Sequence, residues 1–171
     1  MERQLIEEWF ELYEKDVTSY LIYYTSSMDV QDLVQETFLR ALKKISTYRE
    51  SAHPKTWLIT IAKNIVIDRS RKDKIWNRIK YFFREEESHT STLERNILLG
   101  EMNKELYDAI AELPSKQREV IILRGILEMT SKQAGEIMGT NENHINVLYY
   151  RSLKKLKQIL EEEGYVYEKG I

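Results

Sequence analysis

The chain has 171 residues, 42% of them hydrophobic and 32% charged, with no cysteine and three histidines. That length and hydrophobicity suit one or two small folded domains, and the missing cysteines exclude a disulfide scaffold, a cysteine-ligated zinc finger and a thiol nucleophile. The opening MERQLIEEW carries acids where a secretory signal would be basic, and no apolar run approaches the roughly 18 residues of a membrane span, so the cytoplasm is the expected compartment. The net charge of −2 conceals a blockwise pattern. Residues 1–39 carry 2 basic against 9 acidic groups, 40–84 carry 13 against 3, 85–112 carry 2 against 8, 113–158 carry 8 against 4, and 159–171 carry 1 against 4. Two separate basic blocks suit a polyanion binder with two points of contact.

Six glycines, two prolines and sustained 3.6-residue apolar spacing predict an all-α protein. Leu5, Ile6, Trp9, Phe10, Leu12 and Tyr13 mark a first helix. A second is expected to begin near Asp16 and to carry Tyr20, Leu21, Tyr23 and Tyr24. Asp29 is a candidate N-cap for a third, without the Glu or Gln of a full capping box. The third helix turns Val30, Leu33, Val34, Thr37, Phe38 and Ala41 to one face. Leu39 falls almost opposite, ringed by Asp32, Gln35, Glu36 and Lys43. That patch reads either as a solvated face with one stray leucine or as a protein-binding surface anchored by Leu39.

A fourth helix opens at Pro54, a favoured first helical position, and buries Leu58, Ile61, Ala62 and Ile65. Beside that stripe run Trp57, Thr60, Asn64, Asp68 and Arg71, with Lys63, Ile67 and Lys72 nearby. Its continuation adds Lys74, Trp76, Arg78, Lys80, Tyr81, Phe82, Phe83 and Arg84. Aromatic groups among cations suit unpaired DNA, where bases stack while the backbone lies on positive charge. The same spacing also suits core aromatics beneath a solvated basic face. REEESHTSTLE, residues 84–94, lacks apolar periodicity before Leu93 and reads as a linker.

Beyond it, Met102, Leu106 and Ile110 share a face, Leu113-Pro114 breaks the helix, and Val120, Ile121, Leu123 and Arg124 follow. Thr130 with Gln133 forms a capping box, residues 139–141 a short turn, and a long helix runs from about Glu142 to Glu162. Two helices about a short glycine-containing turn in a basic block make the helix-turn-helix pattern, which plain αα-hairpins share. In the long helix Ile145, Leu148, Tyr149, Ser152, Leu153 and Leu156 are expected to point inward. Asn143, Asn146, Val147, Tyr150, Arg151 and Lys154 point outward, with His144 at the side. Asparagine suits bidentate contact with adenine, Val147 a thymine methyl, and Arg151 and Lys154 phosphate. His144 has no partner at metal-ligand spacing, and there is no P-loop, GxGxxG or nucleophile elbow. No catalytic residue, metal or cofactor is expected.

Four segments together carry a family resemblance: DVQDLVQETFLRAL (29–42), KTWLITIAKNIVIDR (55–69), LPSKQREVIIL (113–123) and YRSLKKL (150–156). The first two resemble region 2, and the last two region 4, of bacterial RNA polymerase sigma factors of the extracytoplasmic-function (ECF) group. The resemblance covers roughly residues 5–160, the linker excepted. It implies two small helical domains, 1–84 and 101–171, joined by a flexible acidic linker over 85–100, the C-terminal domain containing the helix-turn-helix. It further implies a non-enzymatic subunit that binds core polymerase through clamp and flap, recognises promoter DNA and helps open it. Carried residue by residue, Asp32, Gln35, Glu36 and Leu39 would face the clamp. Trp57, Lys63, Asn64, Asp68, Arg69, Arg71 and Lys72 would meet the −10 element. Asn143, His144, Asn146, Val147, Tyr150, Arg151 and Lys154 would meet the −35 element. The family also implies an anti-sigma factor as a further partner, often membrane-tethered, with no membrane insertion by the chain itself. Two departures stand in the second domain. Gln133-Ala134-Gly135 replaces the usual Glu-Ile-Ala, and Asn146 and Leu148 occupy commonly basic positions. A stand-alone helix-turn-helix regulator, or a sigma-like polymerase-binding protein without initiation activity, remains the alternative.

Overall fold

Helix α1 (Glu2–Thr25) runs unbroken where the sequence reading separates two helices near Asp16. No glycine or proline interrupts it. Asp16 does not cap a new helix; its carboxylate pairs with Lys55 Nζ at 3.3 Å. The computed structural model describes residues 1–83 and 103–164, with side chains through Ile75 and again from Asn103. The expected linker and the side chains of residues 76–84, together with Met102, lie outside the described residues.

Helix α2 (Gln31–Lys44) begins two residues after Asp29, and Val30 holds the N-cap position without a side-chain hydrogen bond. Val30 is 2% exposed and its carbonyl accepts from Val34 N at 2.9 Å, so burial of the valine sets the boundary. Asp29 is exposed. A short 3-10 turn (Ile45–Thr47) follows, and α3 (Pro54–Phe83) starts at the proline. The three helices pack around Leu58, Ile59, Ala62 and Ile65, all fully buried. An edge-to-face Phe10–Phe38 pair at 4.9 Å joins α1 to α2.

The second half is α4 (Lys104–Glu112), α5 (Ser115–Ile121), a π-helical segment (Ile122–Ile126), α6 (Ser131–Met138) and α7 (Glu142–Glu162). Asn103 caps α4, accepting from Leu106 N at 3.1 Å. The Thr130–Gln133 capping box opens α6 with both reciprocal bonds formed. Gly139, at φ 70°, ends α6 in the left-handed region, and Asn141 opens α7 by accepting from His144 N at 2.8 Å. The π-helical segment has no counterpart in the periodicity of the sequence. On α7, Ile145, Ser152 and Leu156 are buried as expected, but Leu153 is 42% exposed. It lies at the margin of the inward stripe, about 80° around the helix from Ile145.

Every regular element among the described residues is helical, and none is long and apolar enough to cross a membrane. The two halves are in contact. Helix α1 lies against α4, α5 and the π-helical segment, and α3 lies against α6.

Candidate nucleic-acid interface

Helices α1 and α2 leave an open groove of about 790 Å³ between them, floored by Ile6, Val34 and Phe38. Asp32, Gln35 and Leu39 line it, together with Phe10 and Leu42. Leu39 is 53% exposed and Phe10 41%, so apolar surface stands at the rim with polar groups beside it. Exposed apolar groups with polar ones beside them suit contact with a protein. Glu36 does not line the groove.

Glu36 instead links α2 to α3. Its carboxylate accepts from Arg40 Nη2 at 2.6 Å and from Arg69 across the helix pair, while Arg40 Nη1 reaches Asp68 at 3.5 Å. Burial alone would push the Glu36 carboxyl up; the hydrogen bonds and charges of Arg69 and then Arg40 outweigh it and hold the group below the usual range. Arg69 therefore projects from α3 in a fixed position. Asn64, Asp68, Arg71 and Lys72 are exposed along the same helix. Trp57 is half-buried, its ring 6.0 Å from Trp9 and 5.2 Å from Tyr48, so most of it belongs to the core.

Lys63 stands apart from the other α3 residues expected to meet DNA. It faces the second half, where its ammonium lies 2.8 Å from the Glu119 carboxylate and donates to the Ile137 carbonyl at 3.3 Å. The Tyr20 hydroxyl donates to the same carboxylate at 3.3 Å. Burial, then the Glu119 charge, pushes the Tyr20 hydroxyl well above its ordinary range, which keeps it a donor. Sequence reasoning missed Glu119 and its contacts with Lys63 and Tyr20. A signal was present: Glu119 shares its helical face with Ile122 and Leu123, a carboxylate set on an apolar stripe.

On α7, Asn143, His144, Asn146, Val147, Tyr150, Arg151 and Lys154 all emerge on the exposed side. The Lys154 ammonium sits 4.8 Å from the Tyr150 ring centre, and Ser131 Oγ donates to Asn146 Oδ1 at 2.5 Å. The Gly135 departure has a steric cause. A Cβ there would stand 2.6 Å from the Thr140 carbonyl oxygen, so the turn into α7 passes closer than an alanine permits.

An exposed helix carrying cations and amides after a tight turn, and a second such helix in the other half, each suit contact with nucleic acid. Comparison with known proteins agrees. Sigma-70 region 2 matches residues 9–85 and Sigma-70, region 4 matches residues 103–156. The chain is 30% identical over 160 residues to ECF RNA polymerase sigma factor SigM of Bacillus subtilis, covering 90% of this chain and 94% of that protein. It is 29% identical to ECF RNA polymerase sigma factor BldN of Streptomyces coelicolor, covering 91% of this chain but only 60% of BldN's length. Its fold is similar to that of the sigma factor RpoE from Bartonella quintana, solved with the anti-sigma factor NepR. That likeness has a TM-score of 0.74 at 24% identity and covers 91% of this chain and 96% of the other. With both region matches in chain order on the two helical halves, this chain belongs to the ECF sigma factors of the sigma-70 family.

Proposed function

We propose that the chain is a dissociable subunit of RNA polymerase that divides its work among three surfaces. The α1–α2 groove, with Asp32, Gln35 and Leu39, takes the clamp of core polymerase, and Glu36 supports that surface from behind by holding Arg40 and Arg69. Helix α3 presents Asn64, Asp68, Arg69, Arg71 and Lys72 to the −10 element, with Trp57 at its edge and Lys63 available once the halves part. Helix α7 presents Asn143, His144, Asn146, Val147, Tyr150, Arg151 and Lys154 to the −35 duplex, with the second half seated on the flap. The corresponding domains are 1–84 and 101–171, with 85–100 between them. RNA synthesis itself belongs to the core enzyme; this chain contributes binding and base capture. A cytoplasmic location, with an anti-sigma factor as the holding partner, fits this reading.

The single observation that carries the reading is Leu39. An exposed leucine at the mouth of an apolar groove, flanked by Asp32 and Gln35, suits a protein partner. The test is transcription from a promoter library with purified core polymerase and this chain. Promoter-dependent transcript supports the reading. Core binding with no transcript on any promoter returns it to a polymerase-binding protein that does not initiate.

A further inference from the structure

Glu119 is the only charged residue among the described ones that is buried, at 5% exposure. It lies between the two halves, where its carboxylate meets Lys63 and the Tyr20 hydroxyl. Lys63 also donates to the Ile137 carbonyl near the C-terminal end of α6, where the helix dipole favours a cation. Two turns earlier on α3, Lys55 makes a similar contact, reaching the Leu127 carbonyl at 3.0 Å and Asp16 at 3.3 Å. From the other side, Arg118 Nη1 donates to Ser26 Oγ at 3.4 Å. The polar seam thus fastens α1 and α3 of the first half to α5, the π-helical segment and α6 of the second.

We propose that Glu119 is an internal competitor for promoter DNA: in the free chain its carboxylate occupies the Lys63 ammonium that the open subunit gives to a nucleic-acid phosphate. The proposal rests on the assignment of α3 to the −10 element. A carboxylate and a phosphate oxygen offer lysine the same charge-assisted bond. Burial makes the exchange all-or-none. If Lys63 moved to a phosphate while Glu119 stayed in place, a charge would be left unpaired out of water, which is strongly disfavoured. Exchange of the ligand on Lys63 and parting of the halves are therefore one event. Asn64, Arg71 and Lys72 stay exposed in the closed chain, so DNA has a first foothold on α3 before Lys63 is released.

The test uses the full chain, a short fluorescein-labelled oligo-dT strand as probe, and small-angle X-ray scattering. Glu119→Gln keeps the shape and can still accept from Tyr20, but it removes the charge that holds Lys63. It should raise oligonucleotide affinity about tenfold as the binding-competent state becomes populated, and enlarge the radius of gyration. The salt dependence should steepen by roughly 0.7 in log–log slope for the one added phosphate contact. Tyr20→Phe should move both readouts the same way by less. It decides the matter if circular dichroism shows that Glu119→Gln does not fold. The Glu119→Gln/Lys63→Gln double variant should keep the larger radius and lose the affinity gain. Unchanged radius and affinity in folded Glu119→Gln overturn the latch. A larger radius with unchanged affinity overturns the competitor role. Failure of the α3 assignment itself shows elsewhere: holoenzyme carrying Lys63→Gln would then open duplex promoter at the normal rate, whatever the scattering shows.

Discussion

Helices α3 and α7 are both proposed to meet DNA, yet three cations of α3 are engaged across the fold while, among the described residues, the cations of α7 are not. On α3, Lys55, Lys63 and Arg69 are each engaged in an ion pair with a group on another helix, Lys63 with one in the other half. On α7, Asn143, Val147, Arg151 and Lys154 stand on the open side of a helix whose start is fixed by its cap and turn. The difference teaches that residue type and helical phase identify a candidate binding stripe, whereas the partners across the fold decide whether that stripe is ready. The α7 face is presented; the α3 face is partly held in reserve.

The largest effect is expected outside both stripes. Leu39→Asp should cost about 2 kcal/mol or more of core-polymerase affinity, as for a central anchor residue, with an unchanged circular dichroism spectrum. A native spectrum with undiminished affinity would remove the clamp assignment and leave the two DNA faces without a common platform. Next comes the turn that presents α7. Gly135→Ala forces a methyl against the Thr140 carbonyl and should destabilise the chain by about 1–3 kcal/mol in thermal melts. A melting curve identical to the parent would mean that the turn relaxes without strain.

The comparison itself is sharpened by templates. Asn143→Ala and Arg151→Ala in holoenzyme should weaken recognition of the −35 duplex, a lost base contact being worth about 1–3 kcal/mol of discrimination. Asn64→Ala and Arg71→Ala should instead slow opening, and a promoter pre-melted over the −10 element should restore them but not the α7 variants. Equal rescue of both groups would erase the distinction between the stripes. The smallest effect is at Glu36. Its carboxyl is held below the ordinary range, against the opposing pull of burial, by Arg69 and Arg40. Its contribution to stability is therefore complete above the ordinary glutamate range and is lost as pH falls through the lowered value. Glu36→Gln should flatten that acid-side loss, by less than about 1 kcal/mol for so exposed a pair, in urea titrations across the acidic range.

What was legible in the sequence was local. Pro54 at the start of α3, the Thr130–Gln133 box and the turn at Gly139 depend on neighbours within a few residues, and each stands where the pattern puts it. The exposure of Leu39 follows from helical phase alone. The errors arose where a distant group decided the outcome. Asp16 resembles a helix start, but its partner is Lys55 on another helix. Asp29 resembles a cap, but burial of Val30 sets the boundary. Lys63 resembles its solvent-facing neighbours because no periodicity reveals that Glu119 will be docked opposite. Leu153 sits at the edge of a stripe, where burial depends on what packs nearby.

The continuity of α1 has a thermal consequence. At 24 residues it is a rod of about 36 Å, and its two ends serve different assemblies. Trp9 packs with Tyr48 and Trp57 in the first half, while Tyr23 stands 5.7 Å from Tyr107 in the second. The buried residues of both halves form one hydrophobic cluster, so a rod embedded along it cannot melt from one half without loosening the other. The free chain should therefore absorb heat in a single cooperative transition, with calorimetric and van 't Hoff enthalpies in agreement. Any event that parts the halves uncovers Tyr20 and Tyr23 along the far end of α1. Separation is then a hydration of aromatic surface as well as an exchange of charges, and its heat-capacity change should be positive.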